Sequence, residues 1–169
     1  IGHETARLLT EFGVKVIGVD PRPEYQVEGM EIYPPEKLKE LLPQADFVIT
    51  TVPHTPVTEF TFNSETFGLM KNTAYFINIG RGMVCKIDDL ADAIESGNIA
   101  GCGLDVYEIE PLPSDHKLWG LDNVLMTPHV AIVDAENIPE RRFEILLDNA
   151  KSFLSGDSLN NVVDKETWY

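Results

Sequence analysis

The sequence predicts an α/β protein built on a doubly wound parallel sheet. Apolar runs of strand length alternate with amphipathic stretches of helix length from one end of the chain to the other, which is the pattern that helices connecting parallel strands produce. Glycine and proline separate many of these runs, as expected at turns and helix ends. A hydrophobic fraction of 43% and a charged fraction of 24% are typical of a globular domain.

Each element is predicted from its own residues. Helices are expected over 3–12, 35–42, 63–70, 87–94 and 138–154, and strands over 15–19, 31–33, 47–51, 74–78, 101–105 and 124–127. In the fourth helix Ile87, Leu90 and Ile94 share one face, as in a helix that packs on a sheet. Gly13 and Gly97 stand where helices are expected to end, since the left-handed backbone that closes a helix favours glycine.

The charge of the chain argues against two classes of partner. With 13 basic and 28 acidic residues the net charge is −15, and such a chain is repelled by nucleic-acid phosphates and by anionic membranes. No apolar run reaches the ~20 residues that cross a bilayer, and no signal peptide is visible. Cys85 and Cys102 form no CxxC pair, so we expect reduced packing residues in a cytoplasmic protein, and we expect no metal site.

Polar residues cluster where the predicted strands end. In open wound sheets, ligands bind beyond the carboxyl ends of the strands. The residues at those ends are Asp20, the run Thr51 to His54, the run Gly80 to Gly82, Asp105 with Glu108 and Glu110, and Pro128 with His129. The edge formed by these ends is therefore the predicted site.

Two features point to a dinucleotide. Asp20 follows Gly2 at close to the spacing of about 20 residues at which an acid binds the adenosine ribose of NAD. An acid there disfavours NADP, although Arg22 softens that preference, and Asp20 would equally serve as a turn residue. Ile1 and Gly2 fit the tail of a glycine-rich loop that lets backbone amides approach a pyrophosphate, although a single glycine is a weak motif.

Four further residues suggest chemistry on a carboxylic acid. Arg81, between two glycines, is a fixed cation that can bind a carboxylate through two parallel hydrogen bonds. His129 ends the last strand, and Glu108 and Glu110 are both candidates for the carboxylate that would orient its ring for proton transfer. Each residue alone would also fit an ordinary surface or structural role, so the prediction depends on all of them meeting at one edge.

At these residues the sequence resembles the D-isomer-specific 2-hydroxyacid dehydrogenases. The resemblance extends over nearly the whole chain. The segments that carry it are VIGVDP at 16–21, TVPHTPVT at 51–58, LMKNTAYFINIGRGMVCKIDDLADAI at 69–94, SGNIAGCGLDVYEIEPL at 96–112 and LDNVLMTPHVA at 121–131.

The resemblance implies an oxidoreductase that transfers hydride between NAD and a small 2-hydroxy or 2-oxo acid. It implies that Arg81 binds the substrate, that His129 is the acid and base, and that Glu110 is the partner of His129. It further implies cofactor contacts at Ile1, Gly2, Asp20, Val52, Pro53, Thr58, Ile79, Gly80, Arg81, Asp105, His129 and Ile132. Ile132 stands where the family usually has a small residue or tryptophan.

The resemblance also implies a Rossmann-like fold that is incomplete. Residues 1–135 correspond to part of the NAD-binding domain, and 136–169 to a helix and tail that return to a substrate domain absent from this sequence. The first strand of the family, central in the order 3-2-1-4-5-6, has no counterpart here. We therefore expect a sheet split in two, and a chain that by itself folds and binds NAD poorly because strand edges are exposed.

Several alternatives stay open at this point. A corepressor-like protein that senses NAD(H), or an inactive truncated remnant, would share the same fold. A formate dehydrogenase would be expected to carry glutamine in place of Glu110. The substrate is not specified, so phosphoglycerate, glyoxylate, hydroxypyruvate and lactate-type acids are all compatible, and a homodimer is expected only by analogy with the family.

Overall fold

The computed structural model describes residues 1–22, 30–132, 137–166 and 168, and the chain divides into two units, Ile1–His129 and Val130–Tyr169. In the described residues the strands are β1 Ile17–Val19, β2 Glu31–Tyr33, β3 Phe47–Thr50, β4 Tyr75–Asn78, β5 Gly101–Leu104 and β6 Val124–Met126. The α-helices are α1 Gly2–Glu11, α2 Leu38–Leu41, α3 Ser64–Gly68, α4 Ile87–Glu95 and α5 Ile138–Ser155. Short 3-10 turns occur at Pro35–Lys37, Leu42–Gln44, Gly82–Val84 and Lys117–Gly120.

All strand pairs among these residues are parallel, and they form two separate sheets. One sheet pairs β1 with β2, and the other has the order β3-β4-β5-β6. The predicted α/β fold and the predicted division of its sheet are therefore confirmed. Because every strand in a parallel sheet runs in the same direction, the carboxyl ends of β3 to β6 all lie at one edge.

The core of the first unit lies on one face of the four-stranded sheet. Phe76 in β4 is fully buried, with its ring centroid 4.8 Å from that of Phe62 and 5.3 Å from that of Phe67. The buried side of α4 joins the same cluster through Leu90 and Ile94. On the opposite face of the sheet, Phe47 and its neighbours remain exposed. The edge that carries the polar residues is thus supported by a packed layer from one side.

Three helices are followed by a glycine whose backbone is in the left-handed conformation. Gly13, Gly97 and Gly156 follow α1, α4 and α5 with φ of 77°, 75° and 75°, in the left-handed region that a side chain disfavours. At its start α3 is closed by Asn63, whose side chain accepts from the N–H groups of Glu65 and Thr66. The predicted helix ends at Gly13 and Gly97 are confirmed.

One predicted helix is less regular than expected. Over 35–42 the structure has the turn Pro35–Lys37, a four-residue α2 and the turn Leu42–Gln44. Pro43 has no N–H to continue the α-helical hydrogen bonds and its ring crowds the preceding turn, so the helix tightens to 3-10 geometry there.

Both cysteines are free and buried, as the sequence predicted. Burial raises the pKa of the Cys102 thiol to about 12 and also raises the pKa of Cys85. The thiols therefore stay protonated near neutral pH and act as packing groups. In the described part of the chain no helix is long and apolar enough to cross a membrane.

Candidate active site

The predicted site residues follow the ends of parallel strands. Asp20 comes directly after β1, Val52 and Pro53 follow β3, and Asp105 comes directly after β5. The remaining strand ends carry Ile79 with Gly80 and Arg81 after β4, and His129 after β6. The register of β3 to β6 therefore brings together at one edge residues that are far apart in the sequence, while Asp20 follows a strand of the separate two-stranded sheet.

Glu110 and His129 are in direct contact. The Oε2 atom of Glu110 lies 2.8 Å from Nδ1 of His129, and its Oε1 accepts from the Tyr107 N–H at 2.9 Å. Glu110 is thus held by a side chain and a backbone group from different segments. Glu108, the other candidate partner, instead accepts from the N–H of Ile87 at 3.3 Å. The structure therefore selects Glu110 from the two acids that the sequence offered.

The chemistry of this pair follows from its protonation. Burial raises the pKa of the Glu110 carboxyl, but the hydrogen bonds from His129 and Tyr107, with the charge of the ring, outweigh burial and hold that pKa below its ordinary value. An ionised carboxylate only accepts hydrogen bonds, so Nδ1 of His129 carries a hydrogen. The side chains of His129 and Glu110 are 46% and 37% exposed, and Nε2 is left as the nitrogen that can exchange a proton.

The backbone of His129 is strained. Its φ of 53° lies in the left-handed region, which costs a non-glycine residue about 1–3 kcal/mol. The turn is closed by the N–H of His129, which donates to the carbonyl of Thr127 at 3.1 Å. Strain of this kind persists only where neighbouring contacts fix the conformation, and here the bond to Glu110 is one of them.

Arg81 is presented on a turn that a buried amide organises. Asn78, the last residue of β4, is 1% exposed. Its Nδ2 donates to the carbonyl of Arg81 at 3.1 Å, and its Oδ1 accepts from the N–H of Gly80 at 3.1 Å. Among the described residues, the guanidinium of the exposed Arg81 donates to the carbonyl of Gly80 at 2.7 Å and has no hydrogen bond or ion pair to Glu110 or His129. The side chain of Arg81 is thus exposed above a turn that is fixed from below.

Sequence reasoning did not single out Asn78. The available signal was an amide in the last position of an otherwise apolar strand, two residues before Gly80. A buried amide at such a place must satisfy its donors and acceptor within the protein. The adjacent turn of Arg81 is where those hydrogen bonds are made.

Two glycines allow close backbone contacts at this edge. A Cβ atom on Gly80 would lie 2.8 Å from the carbonyl oxygen of Val52, and one on Gly82 would lie 1.7 Å from that of Tyr107. No side chain fits at Gly82 unless the backbone moves. The turn that carries Arg81 therefore packs backbone to backbone against the segment that leads to Glu110.

The predicted nucleotide contacts at Ile1 and Gly2 lie at the start of helix α1. The first N–H groups of any α-helix lack partners within the helix, and no side chain caps them at the start of α1 among the described residues. A Cβ atom on Gly2 would lie 2.7 Å from Oγ1 of Thr51, which shows how closely the helix start approaches the end of β3. Backbone N–H groups at a helix start beside a sheet edge fit a bound phosphate.

Asp20 is held in place by its neighbours. Its N–H donates to the carbonyl of Tyr33 in β2 at 3.0 Å. Its Oδ1 accepts from the N–H of Arg22 at 2.8 Å and from Nε of the same residue at 3.4 Å. The carboxylate is thus oriented at the end of β1, with a cation beside it.

The other predicted contacts differ in their exposure. Asp105 is buried and accepts from Oγ1 of Thr127 at 2.6 Å. Oγ1 of Thr58 donates to the carbonyl of Pro53 at 2.7 Å, so Thr58 supports the loop after β3. Ile1 is exposed before α1, while Ile132 belongs to the second unit and is also exposed.

A cavity of about 570 Å³ adjoins the Glu110 and His129 pair. Its lining is largely apolar, with Leu112, Trp119 and Met126 among the residues that form it. Nε1 of Trp119 donates to the carbonyl of Pro113 at 2.9 Å. The pair is therefore bordered on this side by apolar surface, in which electrostatic contacts are less screened than in water.

One known protein family matches most of the chain. Residues 1–131 match the model of the NAD-binding domain of the D-isomer specific 2-hydroxyacid dehydrogenases. The chain belongs to this family. The resemblance first suggested by short sequence segments is confirmed, and with it the Rossmann-like character of the fold.

The chain is similar to proteins of this family that are named as glyoxylate or hydroxypyruvate reductases. A glyoxylate reductase of Thermofilum pendens is 38% identical over 170 residues, which are 98% of this chain and 49% of that protein. A human glyoxylate reductase/hydroxypyruvate reductase is 44% identical over 133 residues, which are 77% of this chain and 40% of that protein. The chain spans about half the length of the curated relatives it matches.

A solved structure of this family has the same fold and contains a nicotinamide cofactor. The D-isomer specific 2-hydroxyacid dehydrogenase of Xanthobacter autotrophicus, in complex with NADPH and MES, superimposes with a TM-score of 0.90 at 34% identity. The match covers 97% of this chain and 66% of that one. The expected nicotinamide cofactor is thus supported by the family and by this neighbour.

Replacing Asn78 tests how the turn of Arg81 is held. Asn78→Leu leaves the N–H of Gly80 and the carbonyl of Arg81 without their partner, and each such group costs about 1–3 kcal/mol. We expect urea unfolding to give a free energy of unfolding lower by about 2 kcal/mol or more. Thr50→Val is the matched control, because Thr50 pairs with Asn78 in the sheet and its buried hydroxyl has no hydrogen-bond partner among the described residues. Equal losses in both variants would contradict this role.

The lowered pKa of Glu110 predicts a pH dependence of stability. Because the folded-state pKa lies below that of the unfolded chain, the contribution of Glu110 is fully present above about pH 4.3 and is lost as the pH falls through the folded-state value. Urea unfolding of the wild type and of Glu110→Gln between pH 3 and pH 7 measures the contribution of Glu110 to the free energy of unfolding. The wild type should lose more stability on acidification, and parallel curves would refute the assignment.

Proposed function

We propose that the chain is the nicotinamide-binding part of a dehydrogenase that transfers hydride between NAD(H) and a small 2-hydroxy or 2-oxo acid. The observation that carries this proposal is the contact of 2.8 Å between Glu110 and His129 at the carboxyl edge of the sheet. A carboxylate that orients an imidazole, with the other ring nitrogen available, is the arrangement of a general acid and base. The relatives named as glyoxylate reductases support the same class of substrate.

In this proposal Arg81 binds the carboxylate of the substrate. Its guanidinium is exposed at the end of β4, and its turn is held by Asn78. A planar guanidinium matches the two oxygens of a carboxylate and keeps its charge at every physiological pH. The substrate is thereby oriented with its carbonyl group toward the acid that protonates it.

His129 transfers the proton and Glu110 stabilises the charged ring. During reduction, Nε2 of His129 donates a proton to the carbonyl oxygen, while Nδ1 remains bound to Oε2 of Glu110. The nicotinamide ring, when bound, supplies the hydride that the carbonyl carbon receives. In the oxidation direction His129 takes the proton back from the hydroxyl group, so the same pair serves both directions.

We propose NAD rather than NADP as the cofactor. Asp20 directly ends β1, and a carboxylate at that place accepts from the ribose hydroxyls and repels an added phosphate. The neighbouring structure that contains NADPH and the position of Arg22 beside Asp20 favour NADP instead. The carboxylate carries more weight, because it lies directly at the strand end, where the ribose hydroxyls are expected.

Steady-state turnover tests the proposed activity. The gene product that contains this chain is assayed with NADH and with NADPH, against 2-oxo acids that include glyoxylate and hydroxypyruvate. We expect Arg81→Ala and His129→Ala to lower kcat/KM by about 10²-fold to 10⁴-fold, and NADH to be preferred roughly tenfold.

The control for this assay is Lys71→Ala. Lys71 is a cation at the opposite, amino edge of the sheet, where it pairs with Asp46 at 2.8 Å, and its loss should leave kcat/KM unchanged. Tight NADH binding without turnover of any 2-oxo acid would overturn the enzyme and favour a protein that senses the cofactor. Preference for NADPH would overturn only the role given to Asp20 and would leave the proposed reaction standing.

We further propose a cytoplasmic homodimer in which 136–169 pack against the substrate-binding part of the protein. In α5 no residue is buried, and Phe143, Leu146 and Phe153 are among its exposed apolar side chains. An apolar stripe of this size is costly in water and is typical of a surface that another part of a protein covers. The two buried free thiols support a reducing compartment.

Hydrogen exchange and light scattering on the full gene product test this assembly. The amides of α5 are expected to exchange slowly, because packing of its apolar stripe protects the helix. The scattering mass is expected to be twice that of one chain. Rapid exchange throughout α5 would refute the packing of this segment, and a monomeric mass at micromolar concentration would refute the dimer.

A further inference from the structure

The segment that carries Glu110 is attached to the start of helix α4. Oε2 of Glu108, a half-buried side chain, accepts from the N–H of Ile87 at 3.3 Å. Ile87 is the first residue of α4, and the preceding Lys86 provides no side-chain cap. Glu108 therefore supplies the cap from a distant position in the sequence. A carboxylate is favoured there, because the free N–H groups of a helix start carry partial positive charge.

The same helix also holds the far end of this segment. Nε2 of His116 lies 3.3 Å from Oδ1 of Asp88, and Nζ of Lys117 pairs with Asp92. Nδ1 of His116 accepts from the N–H of Leu118 at 3.2 Å, which fixes the ring beside α4. We call residues 108–117 the Glu110 loop. Its two ends are both attached to α4, and Glu110 lies between them.

Helix α4 also continues from the turn that carries Arg81. The chain runs from Arg81 through the 3-10 turn Gly82–Val84 into the first residue of α4. At Gly82 this turn packs against the backbone of Tyr107, and a Cβ atom there would also lie 2.7 Å from the backbone nitrogen of Glu108. Arg81 and the loop that carries Glu110 are thus both connected to one structural element, the start of α4. Their relative position depends on what holds the Glu110 loop to that helix.

We propose that Glu108 is a positioning residue, which places the carboxylate of Glu110, and through it the ring of His129, relative to Arg81. This inference rests on the proposed dehydrogenase function, and it assigns Glu108 a role in proton transfer without contact to the substrate. The path is short, because Glu108 is two residues from Glu110, and Glu110 is bound to His129 at 2.8 Å. The cofactor contacts proposed at Asp20 and Gly2 lie on other elements and are independent of this path.

The role of Glu108 has a signature in kinetics. A catalytic group displaced by about 1 Å loses on the order of 10²-fold in rate. Removing the cap should therefore lower kcat, while the KM for NADH stays unchanged. If Glu108 only stabilised the fold, its loss would lower the amount of active protein. The effect would then be the same whether residue 110 is Glu or Gln.

The experiment compares Glu108→Ala and Glu108→Gln, each alone and combined with Glu110→Gln, in the full gene product. We expect Glu108→Ala to lower kcat on the order of 10-fold to 100-fold. Glu108→Gln keeps an oxygen that accepts the Ile87 N–H, so it should recover most of that loss. In the Glu110→Gln background, Glu108→Ala should have no further effect, because the group that it positions is already lost.

The matched control is Asp89→Asn. Asp89 also lies in the first turn of α4, but its Oδ2 accepts from the N–H of Ser64 at 2.8 Å and so links α4 to α3. This variant removes a carboxylate from the same helix turn without touching the Glu110 loop. We expect kcat to remain within twofold of the wild type, an effect smaller than 0.5 kcal/mol by the relation of rate to free energy.

Two results would overturn the proposal. One is an unchanged kcat in Glu108→Ala, and the other is an equal loss from Glu108→Ala with and without Glu110→Gln. Absence of turnover in the wild type would defeat the proposed function instead, and NMR then decides the role of Glu108. The Nδ1–H signal of His129 should be present in the wild type and lost in Glu108→Ala but not in Asp89→Asn, and its persistence in Glu108→Ala would refute the positioning role.

Discussion

Parallel strand pairing is the constraint on which the rest of this structure depends. The register runs without interruption from β3 through β4 and β5 to β6, so each connection must cross back over the sheet before the next strand begins. The strand ends that follow meet at one edge, where backbone groups are free of the ladder and polar side chains can be presented. Arg81, Asp105 and His129 share that edge for this reason, although they are distant in sequence.

The exposed charges of the site depend on groups that are buried beneath them. Asn78 is buried under the turn of Arg81, and Asp105, directly after β5, is also buried. Each meets a hydrogen-bond partner, with Asn78 bound to Arg81 and Asp105 to Thr127. A buried polar group without its partners costs free energy, so such groups restrict the turns above them to the conformations that satisfy them. Glycine completes the arrangement at Gly82, where only a hydrogen fits between two backbone segments.

The described residues also leave apolar surface and strand edges uncovered. In this part of the chain β1 pairs only with β2, and β3 pairs on one side only, with β4. Phe47 and Leu125 are exposed on the face of the sheet opposite the core, at 62% and 72%. Open edges and apolar faces favour association with further polypeptide. The match to about half the length of its relatives agrees with this uncovered surface.

The sequence by itself determined the order of the elements and the chemistry at their ends. Strand limits were predicted to within one or two residues, and the helix ends at Gly13 and Gly97 were predicted correctly, because hydrophobic period and the left-handed preference of glycine are properties of near neighbours. The irregular helix around Pro43 was missed. The apolar pattern of 35–42 favours a regular helix, whereas Pro43 lacks the N–H that an α-helical hydrogen bond needs. Arg81 and His129 were recognised as candidates because of their places after predicted strands.

Only the tertiary structure decided which of these groups act together. It selected Glu110 over Glu108 as the partner of His129, and it revealed Asn78 beneath the turn of Arg81. It also showed the backbone contact at Gly82. These interactions join segments that are far apart along the chain. Their distances are set by how the sheet and its helices pack, and no local pattern in the sequence contains them.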